Sequence, residues 1–278
     1  MKARARVAIL MTTYNSGAYL KAQLVSIQEQ TWQDWELFVR DDQSCDGTAE
    51  QLALFARGDE RIHVLTDGVK RGARDGFMYL LKEVEAELYM FCDHDDVWLP
   101  GKVERSVARY DEQPDKALPL IIATDLKLVD GQLGPICESF WEYMGFPRSW
   151  FNDRYYHLFY DNIPGCVMLM NQRAKEVSLP YHPATAMHDL WVVASVLWHG
   201  GRVECVHEPL MLYRQHEHNV TGVQSTSIAA QLGKPMALWR KTRVQHAASQ
   251  PLVKMGFTRF LLLKTYYSLH IHFLRKRT

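Results

Sequence analysis

The 278-residue chain has 47% hydrophobic and 23% charged residues, a composition that is typical of a globular protein and excludes a disordered or fibrous one. Its 32 basic and 32 acidic residues balance, but they are unevenly distributed. Residues 219–278 contain five Lys, five Arg and no Asp or Glu, which leaves 22 basic and 32 acidic residues in the first 218. An acidic body with a basic C-terminal segment predicts that this segment meets something anionic.

The five cysteines are odd in number and widely spaced, and no CxxC pair occurs. This pattern indicates neither a disulfide framework nor a zinc site, and it favours a reducing compartment. The apolar run at 7–11 is too short for the core of a signal peptide, and no stretch reaches about 18 uninterrupted apolar residues. The sequence therefore predicts a cytoplasmic protein without a membrane-spanning helix.

The first 125 residues alternate short apolar runs with helical patterns. The apolar runs do not alternate with polar residues, which is typical of strands in a sheet that is covered on both faces. This order predicts an α/β fold with a doubly wound, mostly parallel sheet. The predicted strands are 7–11, 36–39, 62–65, 88–92 and 120–124, and the predicted helices are 19–28, 48–55, 77–84 and 100–110.

The pattern changes after a predicted turn at Asp130-Gly131, where an aromatic-rich stretch from 140 to 160 follows. Regular order then returns, with predicted strands at 165–170, 202–206 and 210–213 and a predicted helix at 189–198. We therefore predict one domain over residues 1–218, divided near residue 130, and a helical, basic extension over 219–278.

Three carboxylates within four residues follow the fourth predicted strand, namely Asp93, Asp95 and Asp96. Like charges this close resist joint ionisation unless a cation neutralises them. Mg²⁺ and Mn²⁺ bind one or two carboxylates together with substrate phosphates. A solvated acidic loop is the alternative, but the buried-looking strand before the cluster and Val97-Trp98 after it favour a metal site. The cluster therefore points to phosphate chemistry.

Polar clusters follow three of the predicted strands at their carboxyl ends. Ligands of doubly wound sheets bind beyond these ends of the strands. Because the three clusters would share one edge of the sheet, we expect them to form one site. They are residues 12–15, 41–44 and 93–96.

These motifs together resemble family 2 glycosyltransferases, which have the Rossmann-like GT-A fold. The resemblance covers about residues 5–222 and rests on Thr13-Tyr14-Asn15, on the sequence DDQSCDGT at 41–48 and on DHDDVW at 93–98. Residues 213–216, with Asn219 downstream, are similar to the bacterial rhamnosyltransferase-like branch of the family. The resemblance implies that residues 1–130 bind a nucleotide sugar and that residues 131–218 face the acceptor.

The resemblance gives the first two clusters a role in nucleotide binding. Tyr14, between Thr13 and Asn15, would lie against a pyrimidine ring, and Asp42, or Asp41 beside it, would accept the ring N–H of the base. Ordinary turn packing is the alternative for Tyr14, and a solvated Asx turn is the alternative for the two aspartates.

Two arginines between the second and third clusters are candidate nucleotide contacts. Arg71 and Arg74 would reach the base or the diphosphate, or they are surface charges.

The resemblance also implies the metal ligands. Asp93 and Asp95 fit the DxD motif of the family and, with Asp96, would hold Mn²⁺ or Mg²⁺ against the diphosphate of the sugar nucleotide. His216 would add a metal contact and Arg214 a phosphate contact, although chance enrichment in histidine is an alternative in a chain with 12 of them.

Asp189 matches the position of the general base in the family. An inverting sugar transfer needs a base for the acceptor hydroxyl on the face opposite the leaving group. Because Asp189 stands at the start of a predicted helix, stabilisation of the helix N-terminus is the competing explanation for an acidic residue there.

The extension has apolar and aromatic residues interspersed with basic ones from 255 to 274. This pattern is compatible with an amphipathic helix on an anionic membrane surface over 255–278, or with a helix packed on the domain or on a partner subunit. Nucleic acid is not expected as a partner, because no nucleic-acid-binding motif accompanies the charge.

We therefore predict a metal-dependent, inverting hexosyltransferase at the inner face of the cell membrane. It would move one sugar from a nucleoside-diphosphate sugar, by resemblance dTDP-L-rhamnose, to a lipid-linked glycan in bacterial surface polysaccharide synthesis. A sugar nucleotidyltransferase is one alternative, but it needs a Gly-rich, basic loop after the first strand, and residues 12–17 contain one Gly and no Arg. A non-catalytic protein that binds a nucleotide sugar or a glycan is the other.

Overall fold

Residues 1–160, 162–217 and 235–275 are described by the computed structural model, and within them nine strands form one sheet. The strands are β1 (Val7–Thr13), β2 (Trp35–Asp41), β3 (Ile62–Leu65), β4 (Leu88–Cys92), β5 (Val97–Trp98), β6 (Leu120–Val129), β7 (Pro135–Cys137), β8 (Met168–Asn171) and β9 (Arg202–Arg214). Their order across the sheet is β3-β2-β1-β4-β8-β6-β9-β5, and β7 pairs with β6.

Helices connect the strands and form the C-terminal extension. In the described ranges they are α1 (Leu20–Gln28), α2 (Thr48–Gly58), α3 (Gly72–Glu83), α4 (Lys102–Asp111), α5 (Phe140–Met144), α6 (Gln172–Ser178), α7 (His188–Trp198), α8 (Pro235–Ser249) and α9 (Phe257–Arg275). Short 3-10 helices lie at Arg148–Asn152, Tyr156–Leu158 and Gly165–Val167.

The first four strands form the parallel half of the sheet. β1 pairs in parallel with β2 and with β4, and β2 pairs in parallel with β3. All seven residues of β1 are buried, which explains why its apolar run does not alternate with polar residues. This half has the predicted α/β, doubly wound arrangement. β1 and β2 each run two residues past their predicted ends, so Thr13 and Asp41 are opposite each other in the ladder.

The second half of the sheet is mixed in direction. β8 runs antiparallel between β4 and β6, whereas β6 and β9 pair in parallel. The prediction of two strands at 202–206 and 210–213 was wrong, because β9 is one strand through both. Its register with β6 shifts around Asp125, opposite Pro209. Proline lacks the N–H that a regular ladder needs, and the irregularity accommodates it without ending the strand.

The two-residue strand β5 fixes the acidic loop from its C-terminal side. Val97 pairs with Leu212 and Trp98 with Met211 of β9, and Trp98 is 2% exposed. Because β4 ends at Cys92 and β5 begins at Val97, residues 93–96 are anchored at both ends. The same pairing brings the end of β9 beside this loop.

Helix α9 packs on the domain through one face. Phe260 and Tyr267 are buried against Tyr156 and Phe159, and the Tyr267 hydroxyl donates to Asp153 Oδ2 (2.6 Å). The domain contact that was one of the alternatives predicted for this segment is therefore present in the structure.

The opposite face of α9 is exposed and apolar. It presents Leu262, Tyr266 and Leu269, which follow one another at helical spacing. Among the described helices, none combines the length and the hydropathy that a membrane span requires. The predicted boundary near residue 219, and Asn219 itself, lie outside the described residues.

Candidate active site at the carboxyl edge of the sheet

Side-chain hydrogen bonds join the polar cluster after β1 to the one after β2. Thr13 Oγ1 donates to Asp41 Oδ1 (2.8 Å), and the backbone N–H of Asn15 donates to Ser44 Oγ (2.8 Å). Ser44 in turn donates to Asp41 through its hydroxyl (2.6 Å) and its backbone N–H (2.9 Å). Asn15 has a φ of 47°, a left-handed conformation that asparagine tolerates. These contacts fix the loop that carries Tyr14.

The ring of Tyr14 is available to a ligand, since the residue is 46% exposed. Lys70 Nζ lies 4.0 Å from the centroid of this ring. Lys70 was not identified as a site residue from the sequence. The only feature that could have indicated it is its position between Gly68 and Gly72. An exposed aromatic ring beside a cation suits a planar base joined to phosphates. The stacking role of Tyr14 remains a prediction that this geometry supports.

Asp42 lies deeper than Asp41 and is 4% exposed. Its Oδ1 accepts from Arg40 Nη1 (2.6 Å) and from the backbone N–H of Arg71 (2.7 Å), and its Oδ2 accepts from the backbone N–H of Gly72 (2.9 Å). Burial acts to raise the pKa of Asp42, but these three donors outweigh it and lower the pKa below its usual value. Asp42 therefore holds the start of α3 against the end of β2.

The two candidate arginines are both engaged with the protein. Arg71 donates to Asp67 Oδ2 through Nε (3.0 Å) and Nη2 (2.6 Å), and its guanidinium lies 4.3 Å from the ring centroid of Tyr79. Arg74 pairs with Asp75 and donates from Nη1 to the backbone carbonyls of residues 183 (3.1 Å) and 185 (2.6 Å). Arg74 thus links α3 to the loop before α7, and nucleotide contacts from either arginine remain predictions.

The acidic loop contributes to a buried cluster at the end of β4. One potential ligand atom from each of Asp93, Asp96 and Cys166 lies within 4.8 Å of the other two. Burial, then the nearby charges of Asp95 and Asp189, raise the pKa of Asp93 to about 7. Burial, followed by Asp95 and Asp93, also raises the pKa of Asp96 well above its usual value. Without a cation, both carboxyl groups therefore keep a proton to higher pH than an ordinary aspartate does.

Asp95 turns away from this cluster toward His216. Nε2 of His216 lies 2.9 Å from Asp95 Oδ2, and the imidazole stacks on Tyr19 at 4.7 Å between ring centroids. The four predicted metal ligands are therefore arranged as two groups. Asp93 and Asp96 share the buried cluster, whereas Asp95 and His216 form an adjacent pair.

Arg214 joins the end of β9 to the acidic loop. Its backbone N–H donates to Asp96 Oδ1 (3.0 Å), and its Nε donates to the carbonyl of Asp95 (2.7 Å). Its Nη1 donates to the carbonyl of Gly131 (2.9 Å), and its guanidinium lies 4.7 Å from the ring centroid of Tyr19. Arg214 thus orients the loop, and its predicted phosphate contact remains a prediction.

Asp189 stands in the first turn of α7 and faces the acidic cluster. Its Oδ1 accepts from the backbone N–H of Leu190 (2.7 Å) and its Oδ2 from that of Gly165 (3.3 Å). Its charge acts on Asp93, so the two groups belong to one site. Gly165 allows close approach, because a Cβ at that position would lie 2.7 Å from His188 Nε2.

Lys102 is a buried cation beneath the acidic cluster that sequence reasoning missed. It is fully buried on α4, and its Nζ donates to Thr124 Oγ1 (3.2 Å). Burial lowers the pKa of its ammonium group to about 8, although the neighbouring Cys166, Cys92 and Asp96 act in the opposite direction. Its sequence signal was weak, because a lysine on a helix is usually solvated. Its charge offsets part of the negative charge of the site.

The buried cluster fits a divalent metal through its two carboxylates. Asp96 Oδ2 is buried and has no hydrogen-bond partner among the described residues. Carboxylate oxygens are the hard ligands that Mg²⁺ and Mn²⁺ prefer, whereas the thiol of Cys166 is a soft one. Burial raises the pKa of Cys166 well above its usual value, which keeps the thiol protonated. Asp93 and Asp96 would therefore hold the metal, with Cys166 lining the cluster.

Two solved structures share the fold of the whole chain. Staphylococcus aureus TarS 1–349 in complex with UDP-GlcNAc aligns with a TM-score of 0.65 at 18% identity, over 96% of this chain and 72% of that one. The mannosyltransferase PcManGT from Pyrobaculum calidifontis, in complex with GDP-Man and Mn²⁺, aligns with a TM-score of 0.58 at 13% identity, over 96% and 81%. At these identities the likeness concerns the fold, and it confirms the predicted GT-A architecture.

Curated proteins match about a third of the chain in sequence. The UDP-Glc:alpha-D-GlcNAc-diphosphoundecaprenol beta-1,3-glucosyltransferase WfgD of Escherichia coli is 34% identical over 102 residues, which is 37% of this chain and 40% of WfgD. The dTDP-rhamnosyl transferase RfbG of Shigella flexneri is 33% identical over 102 residues, 35% of each chain. The alignments thus span less than half of these relatives. Residues 8–175, more than half of this chain, match the model of glycosyl transferase family 2. The chain belongs to glycosyl transferase family 2.

Proposed function

We propose that this protein is a metal-dependent, inverting glycosyltransferase that moves one sugar from a nucleoside-diphosphate sugar to a lipid-linked glycan. The observation that carries the proposal is the position of Asp189 beside the half-buried Asp93 and the buried Asp96 at the carboxyl edge of the sheet. A base on one side of a metal-binding pair is the arrangement that a single displacement at the anomeric carbon requires.

Asp189 would act on the acceptor. As an acceptor hydroxyl attacks the anomeric carbon, its proton passes to the carboxylate of Asp189, and the bond between that carbon and the diphosphate oxygen breaks. Attack from the face opposite the leaving group inverts the anomeric centre. The backbone donors from Leu190 and Gly165 hold the carboxylate in place during this transfer. A metal bound at Asp93 and Asp96 would stabilise the negative charge of the departing nucleoside diphosphate.

The donor would carry a pyrimidine base. Exposed Tyr14 offers a stacking face, and Asp41 at the end of β2 and the adjoining Asp42 offer carboxylate acceptors for a ring N–H. UDP and dTDP sugars are named for two relatives, WfgD and RfbG. dTDP-L-rhamnose therefore remains our first candidate, with UDP-glucose as the second.

The acceptor would be a glycan on a polyprenyl diphosphate, and the setting bacterial surface polysaccharide synthesis. Two relatives, WfgD and a beta-1,3-glucosyltransferase of Campylobacter jejuni, are named for acceptors linked to diphosphoundecaprenol or PP-undecaprenol. By resemblance, processive members carry a Trp just after this Arg, and neither Gln215 nor His216 after Arg214 is a Trp. This difference supports transfer of one sugar rather than polymerisation.

Thermal unfolding with a panel of nucleotide sugars, with and without Mn²⁺, tests the proposal. We expect dTDP or UDP sugars to raise the free energy of unfolding by about 2.7 kcal/mol at a hundredfold excess over Kd, and only when the metal is present. Turnover with the stabilising donor and a polyprenyl diphosphate glycan is the second readout. Donor binding without turnover would favour a binding protein, and no shift with any sugar would contradict the proposal.

We further propose that the exposed face of α9 rests on an anionic membrane at the inner face of the cell membrane. The support is the exposed Leu262, Tyr266 and Leu269 in a segment, 235–275, with seven Lys and Arg and no Asp or Glu. The positive charge of this segment repels a second copy of it, which favours lipid over a self-associating dimer.

Replacing Leu262 and Leu269 by serine is expected to weaken binding to phosphatidylglycerol vesicles about tenfold, since two apolar side chains no longer enter the interface. Co-sedimentation measures the change. Leu54→Ser is the control, because Leu54 is 64% exposed on α2, outside this segment. Equal binding by the double variant and the wild type would contradict membrane contact through α9.

A further inference from the structure

A groove separates the loop before α7 from helix α8. Its main cavity has a volume of about 420 Å³, within the range of small-molecule sites. A smaller cavity of about 40 Å³ adjoins it, and the two share Ala186 and Gln245 in their walls. We call the two cavities together the α8 groove. The main cavity is lined by Ala184, Ala186, Ala237, Arg240, Lys241, Val244 and Gln245.

The α8 groove combines an apolar wall with positive charge. Its aliphatic lining comes from both the loop and α8, and Arg240 and Lys241 stand beside it on α8. Among the described residues, neither cation has an acidic partner within 4 Å, and no carboxylate lines either cavity. Two adjacent cations without acidic partners favour an anionic ligand.

A third cation reinforces the positive potential from behind the wall. Lys264 of α9 donates to Gln245 Oε1 (2.5 Å) and Thr242 Oγ1 (2.9 Å), and it is partly buried. Burial, followed by the like charge of Lys241, lowers the pKa of Lys264 to about 8. A ligand that brings negative charge to this wall would relieve the repulsion between the two lysines.

The smaller cavity contains buried polar atoms that lack partners. Thr185 is 4% exposed and His157 is fully buried, and both line this cavity. Thr185 Oγ1 and His157 Nδ1 have no hydrogen-bond partner among the described residues. A volume of about 40 Å³ admits only a few waters or one small polar group, so the bulk of any ligand would lie in the main cavity.

The α8 groove lies next to the proposed base. Leu190, the residue after Asp189, lines its smaller cavity. Arg74 holds the loop wall from the other side through the carbonyls of Pro183 and Thr185. The α8 groove and the proposed base therefore share the first turn of α7.

We propose that the α8 groove binds the isoprenoid diphosphate stem of the lipid-linked acceptor, an inference that rests on the proposed function. The hydrocarbon chain would pack against Ala184, Ala237 and Val244, and the diphosphate would bind Arg240 and Lys241. This placement accounts for both features of the groove, its apolar wall and its two cations without acidic partners. A free phosphate or an uncharged glycan would not use both features.

Calorimetric titration with farnesyl diphosphate tests the inference, with farnesol and inorganic pyrophosphate as separate comparators. EDTA is included so that no metal at Asp93 and Asp96 attracts the diphosphate. We expect farnesyl diphosphate to bind at least about tenfold more tightly than either comparator, since only it uses both the chain wall and the cations. Pyrophosphate binding as tightly as farnesyl diphosphate would overturn the role of the apolar wall.

Matched charge removals locate the site. Arg240→Gln with Lys241→Gln is expected to weaken farnesyl diphosphate binding about tenfold or more, because charge-assisted contacts to phosphate are lost. Lys254→Gln with Arg259→Gln removes the same charge from exposed positions outside the groove and is expected to change binding less than about twofold. Equal losses in both double variants would overturn the site.

A variant with a filled groove separates binding of the isoprenoid diphosphate from binding of the donor. Ala237→Phe, at an exposed position on α8, is expected to weaken farnesyl diphosphate binding while metal-dependent donor stabilisation stays unchanged. Donor stabilisation without any farnesyl diphosphate binding would overturn the groove and leave the proposed function standing. If no nucleotide sugar stabilises the wild type in the presence of metal, the proposed function itself would be contradicted.

Discussion

Asp189→Asn is expected to reduce turnover about 10²- to 10⁴-fold while leaving the donor-dependent thermal shift intact. The amide is close in shape to the carboxylate and accepts through one oxygen, but it cannot take the proton of the acceptor hydroxyl. In the variant, one of the two backbone donors, Leu190 or Gly165, would still meet the amide oxygen, and the other would face the NH2 group. Single-turnover rates with a stabilising donor, together with donor thermal shifts, measure the two effects separately.

The competing explanation for Asp189 is stabilisation of the N-terminus of α7, and a matched variant separates it. Glu50 stands in the first turn of α2, is exposed and has no contact with the site. Glu50→Gln removes the same kind of charge from a helix N-terminus and is expected to cost about 0.3–1 kcal/mol of stability without changing turnover. If Asp189→Asn has the same modest effect and full turnover, Asp189 is a helix-stabilising residue and the base lies elsewhere.

The parallel half of the sheet was predictable because its signals are local. β1 and β4 carry continuous apolar runs between helical segments, and a buried parallel sheet explains that pattern. The polar residues after β1, β2 and β4 follow from the same argument, since parallel strands end at one edge. The convergence of these residues on one site was therefore available from the sequence.

The mixed half was less predictable because its pairing depends on distant partners. β5 has two residues, and it forms by pairing with Leu212 and Met211, which lie more than 100 positions away in the sequence. Two residues carry no periodicity of their own. The predicted gap between residues 206 and 210 includes Pro209, and only the irregular register opposite Asp125 shows how the strand continues.

The division of the acidic site into two groups could not be predicted from the spacing of the aspartates in the sequence. Asp93, Asp95 and Asp96 are neighbours in sequence, but Asp95 pairs with His216 while Asp93 and Asp96 approach Cys166. Cys166 reaches the cluster from a 3-10 helix beside β8. Which side chain turns inward is set by the strands that anchor the loop, and this information lies outside the motif.

The second large effect concerns the metal. Asp96→Asn is expected to abolish the Mn²⁺-dependent donor shift, about 2.7 kcal/mol at a hundredfold excess over Kd, and to lower turnover at least about a hundredfold. An amide is a weaker ligand for a hard cation and leaves the cluster with one fewer charge. Without metal, the variant is expected to be at least as stable as the wild type at pH 8, because the cost of burying the Asp96 carboxyl group beside Asp93 is removed.

A matched variant distinguishes metal loss from misfolding. Glu60→Gln removes one exposed carboxylate and is expected to retain the shift. If Asp96→Asn unfolds at a lower temperature than the wild type in EDTA, its lost shift would reflect structural damage. A full metal-dependent shift in Asp96→Asn would contradict the assignment of Asp96 as a ligand.

The wild type should also show a pH signature of metal binding. The folded-state pKa of Asp93 is raised to about 7, above its unfolded value, so its contribution to the stability of the metal-free protein is lost as the pH rises through 7. The metal binds the deprotonated carboxylate and competes with the proton. The Mn²⁺-induced shift should therefore be larger at pH 8 than at pH 6. A pH-independent shift would contradict the assignment of Asp93 as a metal ligand.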